Sequence, residues 1–471
     1  MSRAKIIFLF SLLFAMVVSG QNKQLIYGLD EVPQNLLLNP GGVPQGRAYI
    51  GVPGLSGLHL NTGSSGFSLF DVAASDGQLP ATRISSLIQS LDDKDFVTTT
   101  VQLGLIDVGW RKDDETFFSA GLYQEFDLIA YFPKDWATLA WYGNANYLDY
   151  PFKFEHISAR ADVLSVFHFG INKKINRKWH VGGRLKLYNS LVSANSLGNT
   201  GSFTTRLANN GDSQNIYAQE LSGAAVSIQT SGLSRFEGNV TQSDVLNTGI
   251  LGGDLGLGID VGATYQHDDS WRFSASLLDI GAIAHGSDVK TYQASGDYNL
   301  EGIQLEFPNL SQGQTAPPYY AIFENEVEAA VPIDTLYSSY TQWRPVKLNA
   351  SATYAFGPSA PGSVACNCSG KGDPYKLESE VGIQIYAIKR PKAIQTAISL
   401  FYVRRLLRQL TVKSTWTMDA LSYANLGLAL VGDLGPINVY LAGDHLLRYG
   451  NLAKARGASI QLGINVKLER R

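Results

Sequence analysis

The chain has 471 residues, a formal net charge of -3 and only 17% charged residues, with 47 Gly, 23 Tyr, 21 Phe and two Cys. Mild acidity argues against a polyanion binder, and no nucleic-acid partner is expected. Low charge with abundant Gly and aromatic residues is typical of membrane-barrel strands, which are aliphatic outside, polar or glycyl inside and aromatic at both interfaces. A secreted soluble β-sandwich or propeller shares part of this composition.

The first 20 residues have the pattern of a cleaved signal peptide. Arg3 and Lys5 precede the apolar run 6–18, and small residues lead to Gln21. A retained anchor is the alternative, although the run is too short to span a bilayer as a helix. No stretch of 18 apolar residues follows, which excludes transmembrane helices from the exported chain but leaves a transmembrane barrel open.

Residues 21–65 are rich in Gly, Pro and Asn, and their longest apolar stretch is the three leucines 36–38. Such a segment cannot form its own core, so it either hangs free as a tail or folds into the interior of a barrel as a hatch. Asn39-Pro40 predicts a chain reversal, and the two glycines that follow permit close approach to a wall. We therefore divide the chain into signal peptide 1–20, hatch 21–65 and barrel 66–471.

Alternation of apolar and polar residues predicts an antiparallel transmembrane β-barrel of about 14 strands, because a barrel wall shows lipid and lumen to successive side chains. The connections have two sizes. Short polar turns are expected on the periplasmic side together with both termini, and the long segments 193–248 and 284–345 are expected to be irregular extracellular loops. A short helix is expected from Pro133 to Leu139. The predicted strands are 66–72, 97–110, 116–131, 157–170, 177–191, 250–267, 270–282, 346–356, 377–388, 395–404, 407–416, 424–432, 436–446 and 457–468.

Three strands contain an Asp flanked by apolar residues and followed two positions later by Gly, namely at Asp107, Asp260 and Asp279. In a strand these carboxylates would point into the lumen, where Arg184 and Lys186 of another strand also point. They would either contact cargo or the hatch, or form a structural hydrogen-bond network. The alternation of apolar and polar residues shifts by one position at 105–106 and at 277–278, which indicates β-bulges. Such bulges either redirect side chains or form a lateral gap in the wall.

No catalytic or metal-binding motif is present, so the sequence predicts a protein that is not an enzyme and needs no cofactor. Cys366 and Cys368 are the only thiols, and a local disulfide or a loop-capping pair is expected rather than a redox centre. Most of the seven Trp residues fall near predicted strand ends, as in the interfacial girdles of membrane barrels.

The sequence 39–42, Asn-Pro-Gly-Gly, and stretches such as Gly258 to Tyr265 resemble the FadL-like outer-membrane transporters, and more closely the PorV-related barrels of Bacteroidota. That family has an N-terminal hatch bearing Asn-Pro-Ala, with Gly in place of Ala here, and a 14-stranded barrel. The final strand resembles the signal read by the barrel-assembly machinery at Gln461, Gly463, Val466 and Leu468, although a merely structural final strand has the same pattern. The resemblance implies placement in the outer membrane of a Gram-negative bacterium.

Two functions follow from this resemblance. The first is a passive conduit for small hydrophobic or amphipathic molecules, with outer-membrane lipid around the barrel. The second is an accessory barrel that does not transport but binds an exported protein or a membrane machine, as PorV-like barrels do in type IX secretion.

Overall fold

The computed structural model describes residues 24–74, 77–207, 217–236, 249, 252–300, 318–360 and 377–468. The predicted signal peptide and both cysteines lie outside these residues.

The strands form because one face of each segment is apolar and the other is polar or glycyl. In the segment Asp254–Gln266, Leu257 is 62% exposed and Ile259 is 51% exposed, whereas Asp260 is fully buried. A soluble protein buries its apolar face, so this inverted arrangement is the one expected of strands that face lipid outside and a polar lumen inside.

The elements follow the predicted alternation closely. The strands are β1 (Ala48–Gly51), β2 (Leu58–Ser64), β3 (Phe96–Arg111), β4 (Thr116–Tyr131), β5 (Phe152–Lys153), β6 (Ala159–Lys174), β7 (Trp179–Ser196), β8 (Thr200–Arg206), β9 (Ala218–Ser231), β10 (Asp254–Gln266), β11 (Trp271–His285), β12 (Val289–Leu300), β13 (Ile333–Leu336), β14 (Tyr340–Trp343), β15 (Lys347–Ser359), β16 (Leu377–Lys389), β17 (Ile394–Leu407), β18 (Leu410–Met418), β19 (Asn425–Leu434), β20 (Ile437–Asp444) and β21 (Gly457–Leu468). The helices are α1 (Leu69–Ala73), α2 (Pro80–Ser90), α3 (Lys134–Tyr142) and α4 (Tyr319–Ala330), and 3-10 turns lie at Pro33–Leu37, Phe154–His156, Ser234–Phe236 and Leu446–Lys454.

The wall strands close into a barrel through antiparallel pairs. β21 pairs with β20 on one side and with β1 and β2 on the other, and β1 and β2 both pair with β3. They are therefore two halves of one interrupted wall strand. β14 and β15 likewise share the neighbour β11 and together occupy one position. The predicted antiparallel barrel of 14 strands is confirmed.

The first wall strand is an exception, because the prediction of a strand at 66–72 was wrong. Residues 69–73 form α1, whose start is fixed by a capping box in which Ser68 and Asp71 exchange hydrogen bonds. The strand is built instead from β1 and β2, in which His59 and Asn61 point inward between exposed or partly exposed neighbours. Residues 48–51 and 58–64 of the predicted hatch thus belong to the wall.

We name the two ends of the barrel by their connections. The turn end carries the short turns 112–115, 175–178, 267–270 and 435–436, and the loop end carries most of the longer connections, together with the short turn 390–393. The long segments 193–248 and 284–345 are not irregular as predicted, because they contain β8, β9, β12 and β13, which pair with one another and extend the sheet from the end of β7. The helix expected at 133–139 is present as α3.

Aromatic side chains gather on the outer face near the turn end. Trp179 packs against Tyr265 with ring centroids 4.6 Å apart, and Trp271 packs against Tyr354 at 5.1 Å. A third group contains Trp110, whose ring is 5.7 Å from that of its neighbour Phe118. Such a belt is typical of the border between lipid and headgroups. Among the described residues, no helix has the length and apolar character needed to cross a bilayer.

Candidate functional site

Residues 24–47, which we call the hatch segment, lie inside the barrel. Leu25, Tyr27, Leu29 and Val32 are at most 2% exposed. They form one buried apolar cluster with wall residues of β17, β19 and β20 such as Tyr440. Burial against the wall supplies the core that this segment cannot form by itself.

The Asn-Pro turn of the hatch segment touches the wall through backbone groups. The side chain of Asn172 on β6 donates to the carbonyls of Pro40 and Gly42, at 2.6 and 2.7 Å. Asn39 accepts a hydrogen bond from the Gly41 amide at 2.9 Å, which closes the turn. A Cβ atom added at Gly182 on the wall would overlap the Pro40 carbonyl, so the close approach requires glycine there.

Two acidic residues of the hatch segment are held by arginines of the wall. Asp30 accepts from Arg272 at 2.7 Å, and Glu31 accepts from Arg405 at 2.9 Å. Glu380 lies between the two arginines, 3.0 Å from the first and 2.9 Å from the second. We call these five side chains the anchor network. The sequence interpretation missed it, although Asp30 and Glu31 are the only charged residues between positions 24 and 46.

Four of the predicted lumen residues do come together. Asp260 lies 3.1 Å from Arg184 and 2.9 Å from Lys186, and Lys186 also reaches Asp279 at 2.6 Å. Lys347 on β15, which the sequence did not indicate, is the second cation on Asp279 at 2.8 Å. Arg184 further donates to the carbonyls of two of the hatch leucines, 36 and 37. This group therefore joins the hatch segment to the wall. Within it, each buried carboxylate is paired with two cations.

Asp107, the third predicted carboxylate, lies in a different part of the lumen. It accepts from the Gln34 amide of the hatch segment at 3.0 Å and from the Tyr49 hydroxyl at 3.1 Å. The strand register shifts between Gly104 and Ile106, where the sequence indicated a bulge. A second shift, in the pairing of β10 with β11, accompanies a positive φ of 60° at Asp279.

The wall is interrupted beside the bulge between Gly104 and Ile106. Residues 52–57 between β1 and β2 leave the strand, and Leu55 is 45% exposed. Their backbone groups remain hydrogen-bonded to both neighbouring strands: Gly54 donates to Gly104 at 3.1 Å, and Ile464 donates to Leu55 at 2.8 Å. These backbone hydrogen bonds replace those that water would otherwise make, so the interruption is compatible with a position inside the hydrocarbon layer of the bilayer.

A narrow cleft lies directly inside the interruption, and its free volume of about 20 Å³ has room for little more than one water molecule in this closed form. The hatch segment forms one side of it, and β2, β3, β4, β6, β20 and β21 contribute the other. Its lining is mixed, with seven apolar or aromatic residues, two glycines and seven polar residues that include the carboxylate of Asp107. Its lining includes Ile26, Ile106, Tyr123, His168, Tyr440 and Gln461.

Two polar side chains of the cleft have unused hydrogen-bonding capacity. Gln461 and His168 are both buried. Among the described residues, the amide oxygen and nitrogen of Gln461 and the Nδ1 atom of His168 have no hydrogen-bond partner. Buried polar atoms are almost always paired with protein, water or ligand. A small molecule that is mostly apolar but carries a polar group would pair with these atoms, provided that the hatch segment or nearby side chains move to enlarge the cleft.

The remaining predicted residues have no role that the structure assigns. Gln461 and Gly463 on β21 point inward, and Val466 and Leu468 are exposed on the outer face, so recognition by the assembly machinery stays a prediction. Cys366 and Cys368 are outside the described residues. Within the described ranges, no group of three or more His, Cys, Asp or Glu side chains could hold a metal ion.

Comparison with solved structures finds several bacterial proteins. The toluene transporter TbuX of Ralstonia pickettii is 9% identical, with 93% of this chain and 94% of that chain covered and a TM-score of 0.41. The toluene transporter TodX of P. putida is 10% identical, with 93% of each chain covered and a TM-score of 0.40. A Pseudomonas aeruginosa FadL homologue is 10% identical, with 93% and 94% covered and a TM-score of 0.40. At such values the likeness carries no inference about substrate.

No curated protein matches the chain. One family model does match it, over residues 40–444, a range that begins at the proline of the Asn-Pro turn and ends with the last residue of β20. Because this match includes most of the barrel wall, the chain belongs to the family of unknown function DUF5723.

Proposed function

We propose that this protein is a passive outer-membrane conduit for small hydrophobic or amphipathic molecules, which it holds in the cleft beside the hatch segment. The observation that supports this most directly is the position of the cleft. It lies between the hatch segment and the place where a wall strand adjoining β21 is interrupted. A molecule in the cleft is therefore separated from the bilayer only by residues 52–57 and the bulge beside them.

The outer face of the interruption supports a lateral route. Ile106 lines the cleft but is 53% exposed on the outside of the barrel, and Leu55 is exposed beside it. An apolar molecule could pass between lipid and cleft here without crossing the charged part of the lumen. Passage toward the turn end would require the hatch segment to move, because it fills that part of the lumen.

Photolabelling tests this proposal. The barrel is reconstituted in nanodiscs with the small aromatic photoprobe 3-trifluoromethyl-3-phenyldiazirine, irradiated and mapped by peptide mass spectrometry. We expect label on Tyr123 and Tyr440, which are at most 5% exposed and line the cleft, in addition to label on lipid-facing residues. His168→Trp should fill the cleft and reduce the inner label at least fivefold.

The neighbouring substitution Phe169→Trp is a matched control, because Phe169 is 48% exposed on the outer face and should leave the inner label unchanged. Label restricted to the outer face in the unmodified protein would contradict the proposal. The PorV-like alternative, a barrel that binds proteins without transporting, finds no support in the comparisons.

A further inference from the structure

Two connections at the loop end fold across the mouth of the barrel. One is the turn 390–393 between β16 and β17, and the other is the connection 419–424 between β18 and β19. Both lie across the lumen and contact residues at the loop-end parts of β3 and β4. The side chains that meet there, which we call the mouth cluster, are Phe96, Asp127, Ile129, Tyr131, Arg390, Lys392 and Leu421.

A buried ion pair is the centre of the mouth cluster. Two nitrogens of Arg390 donate to the two carboxylate oxygens of Asp127, at 2.5 and 3.0 Å, and both side chains are less than a tenth exposed. This fork geometry is the strongest form of a charge-assisted hydrogen bond. The two residues belong to strands on opposite sides of the barrel, because β6, β7, β10, β11 and β15 lie between β4 and β16.

Further contacts surround this pair. The ammonium of Lys392 lies 5.1 Å from the ring centroid of Tyr131 and donates to the backbone carbonyl of Asp93 at 2.9 Å. Leu421, from the second connection, packs in a buried apolar cluster with Phe96 and Tyr131. Polar contacts from the turn 390–393 and an apolar contact from the connection 419–424 therefore cross the loop end between strands that are not neighbours.

The wall itself does not depend on these contacts. β4 has its complete ladders to β3 and β6, and β16 has its ladders to β15 and β17, whether or not the mouth cluster is formed. The hatch segment packs in the lumen nearer the turn end, and the mouth cluster crosses the lumen at the loop end. The two groups share no residue.

We propose that the mouth cluster is a loop-end gate, which acts in series with the hatch segment and opens when the Arg390–Asp127 pair separates. This inference rests on the proposed function, because a gate matters only in a barrel that conducts. In such an arrangement neither opening alone gives a continuous pore. Removal of both closures together should give one.

Single-channel conductance in planar bilayers tests the gate with four proteins: the full chain, a deletion of residues 24–43, Asp127→Asn, and the two changes combined. We expect the combined protein to conduct at least tenfold more than either single change. Arg404→Gln is the matched control for loss of an ion pair. Its partner is Glu378 at 2.8 Å on the adjacent strand, and the arginine side chain is 44% exposed, so it should not add to the effect of the deletion.

If the deletion alone conducts as well as the combined protein, the mouth cluster does not close the barrel and the gate is refuted. A combined protein that stays closed refutes it equally. Heat-modifiable migration on a gel checks that each barrel is folded. A second measurement leaves no buried charge unpaired: in the variant Asp127→Cys, Arg390→Cys, Cys366→Ser, Cys368→Ser, the two new thiols are joined by a short reducible bis-methanethiosulfonate.

In the hatch-deleted background, we expect a low conductance when this linker is present and a high conductance after its reduction, since the two cysteines also remove the ion pair. No change on reduction would refute the gate. These results are independent of the photolabelling. A labelled cleft without series closure would refute the gate alone, and an unlabelled cleft with series closure would refute the proposed ligand site alone.

Discussion

The anchor network should determine how firmly the hatch segment is held in the lumen. We consider Glu31→Gln, which removes the charge that faces Arg405 at 2.9 Å. Removal of one partner from a buried ion pair costs roughly 3–5 kcal/mol, because the other charge is left unpaired. Arg405 keeps a second carboxylate, Glu380, also at 2.9 Å, so we expect a smaller loss of about 2 kcal/mol.

A loss of this size has a measurable consequence. Each 1.4 kcal/mol corresponds to about a tenfold change in an equilibrium constant, so transient release of the hatch segment should become ~30-fold more frequent. Amide hydrogen exchange in nanodiscs reports that release at Leu29, Val32 and Asn35, whose amides donate to backbone carbonyls within the segment. We expect these amides to exchange ~30-fold faster in Glu31→Gln than in the unmodified protein, while the wall strands remain protected.

The same substitution at Glu378 is the control, since this residue pairs on the outer face with an arginine that is 44% exposed. Exposed pairs contribute at most about 1 kcal/mol, so hatch exchange should stay within about fivefold of the unmodified rate. Adding Asp30→Asn to Glu31→Gln removes both acidic groups of the segment and should accelerate exchange further. If this double variant exchanges like the unmodified protein, the anchor network does not hold the hatch segment and the reasoning is wrong.

Three further predictions follow from the wall contacts and from one buried carboxyl. Gly182→Ala should displace the Asn-Pro turn, because the new Cβ atom overlaps the Pro40 carbonyl. Gly432→Ala is the control, since its new Cβ atom would lie 3.8 Å from the nearest atom. Amide exchange of the hatch segment should be faster in the first variant and unchanged in the second. Asn172→Ala removes two hydrogen bonds to carbonyls of that turn, at 2.6 and 2.7 Å, and should cost about 1–3 kcal/mol of hatch stability, measured in the same way. Burial raises the pKa of Asp419, in the connection 419–424, from 3.8 to about 7. The folded connection therefore retains a proton that the opened one releases, so this carboxyl's contribution to stability is fully present below about pH 4 and is lost as pH rises through 7. Asp419→Asn should remove that contribution, measured as amide protection relative to the intrinsic exchange rate at each pH from 4 to 8.

The sequence alone determined the architecture of the wall. Alternation is a local property, and a strand between lipid and lumen must show it, so the strand bounds of β4 and β21 could be read directly from the pattern. The first wall strand was misplaced because its two halves are short and interrupted at 52–57. Neither half alternates for long enough to stand out, and only pairing with β3 and β21 identifies them as one strand.

Only the tertiary structure determines which side chains meet inside the lumen. The sequence could place Asp260 and Arg184 on inward faces, since side-chain direction alternates along a strand, and the structure brings them within 3.1 Å. It could not show that Asp30 meets Arg272 or that Arg390 reaches Asp127, because these partners are 242 and 263 positions apart. Such contacts depend on the circumference, tilt and register of the closed barrel, which set the residues that face one another across the lumen. No local pattern contains that information.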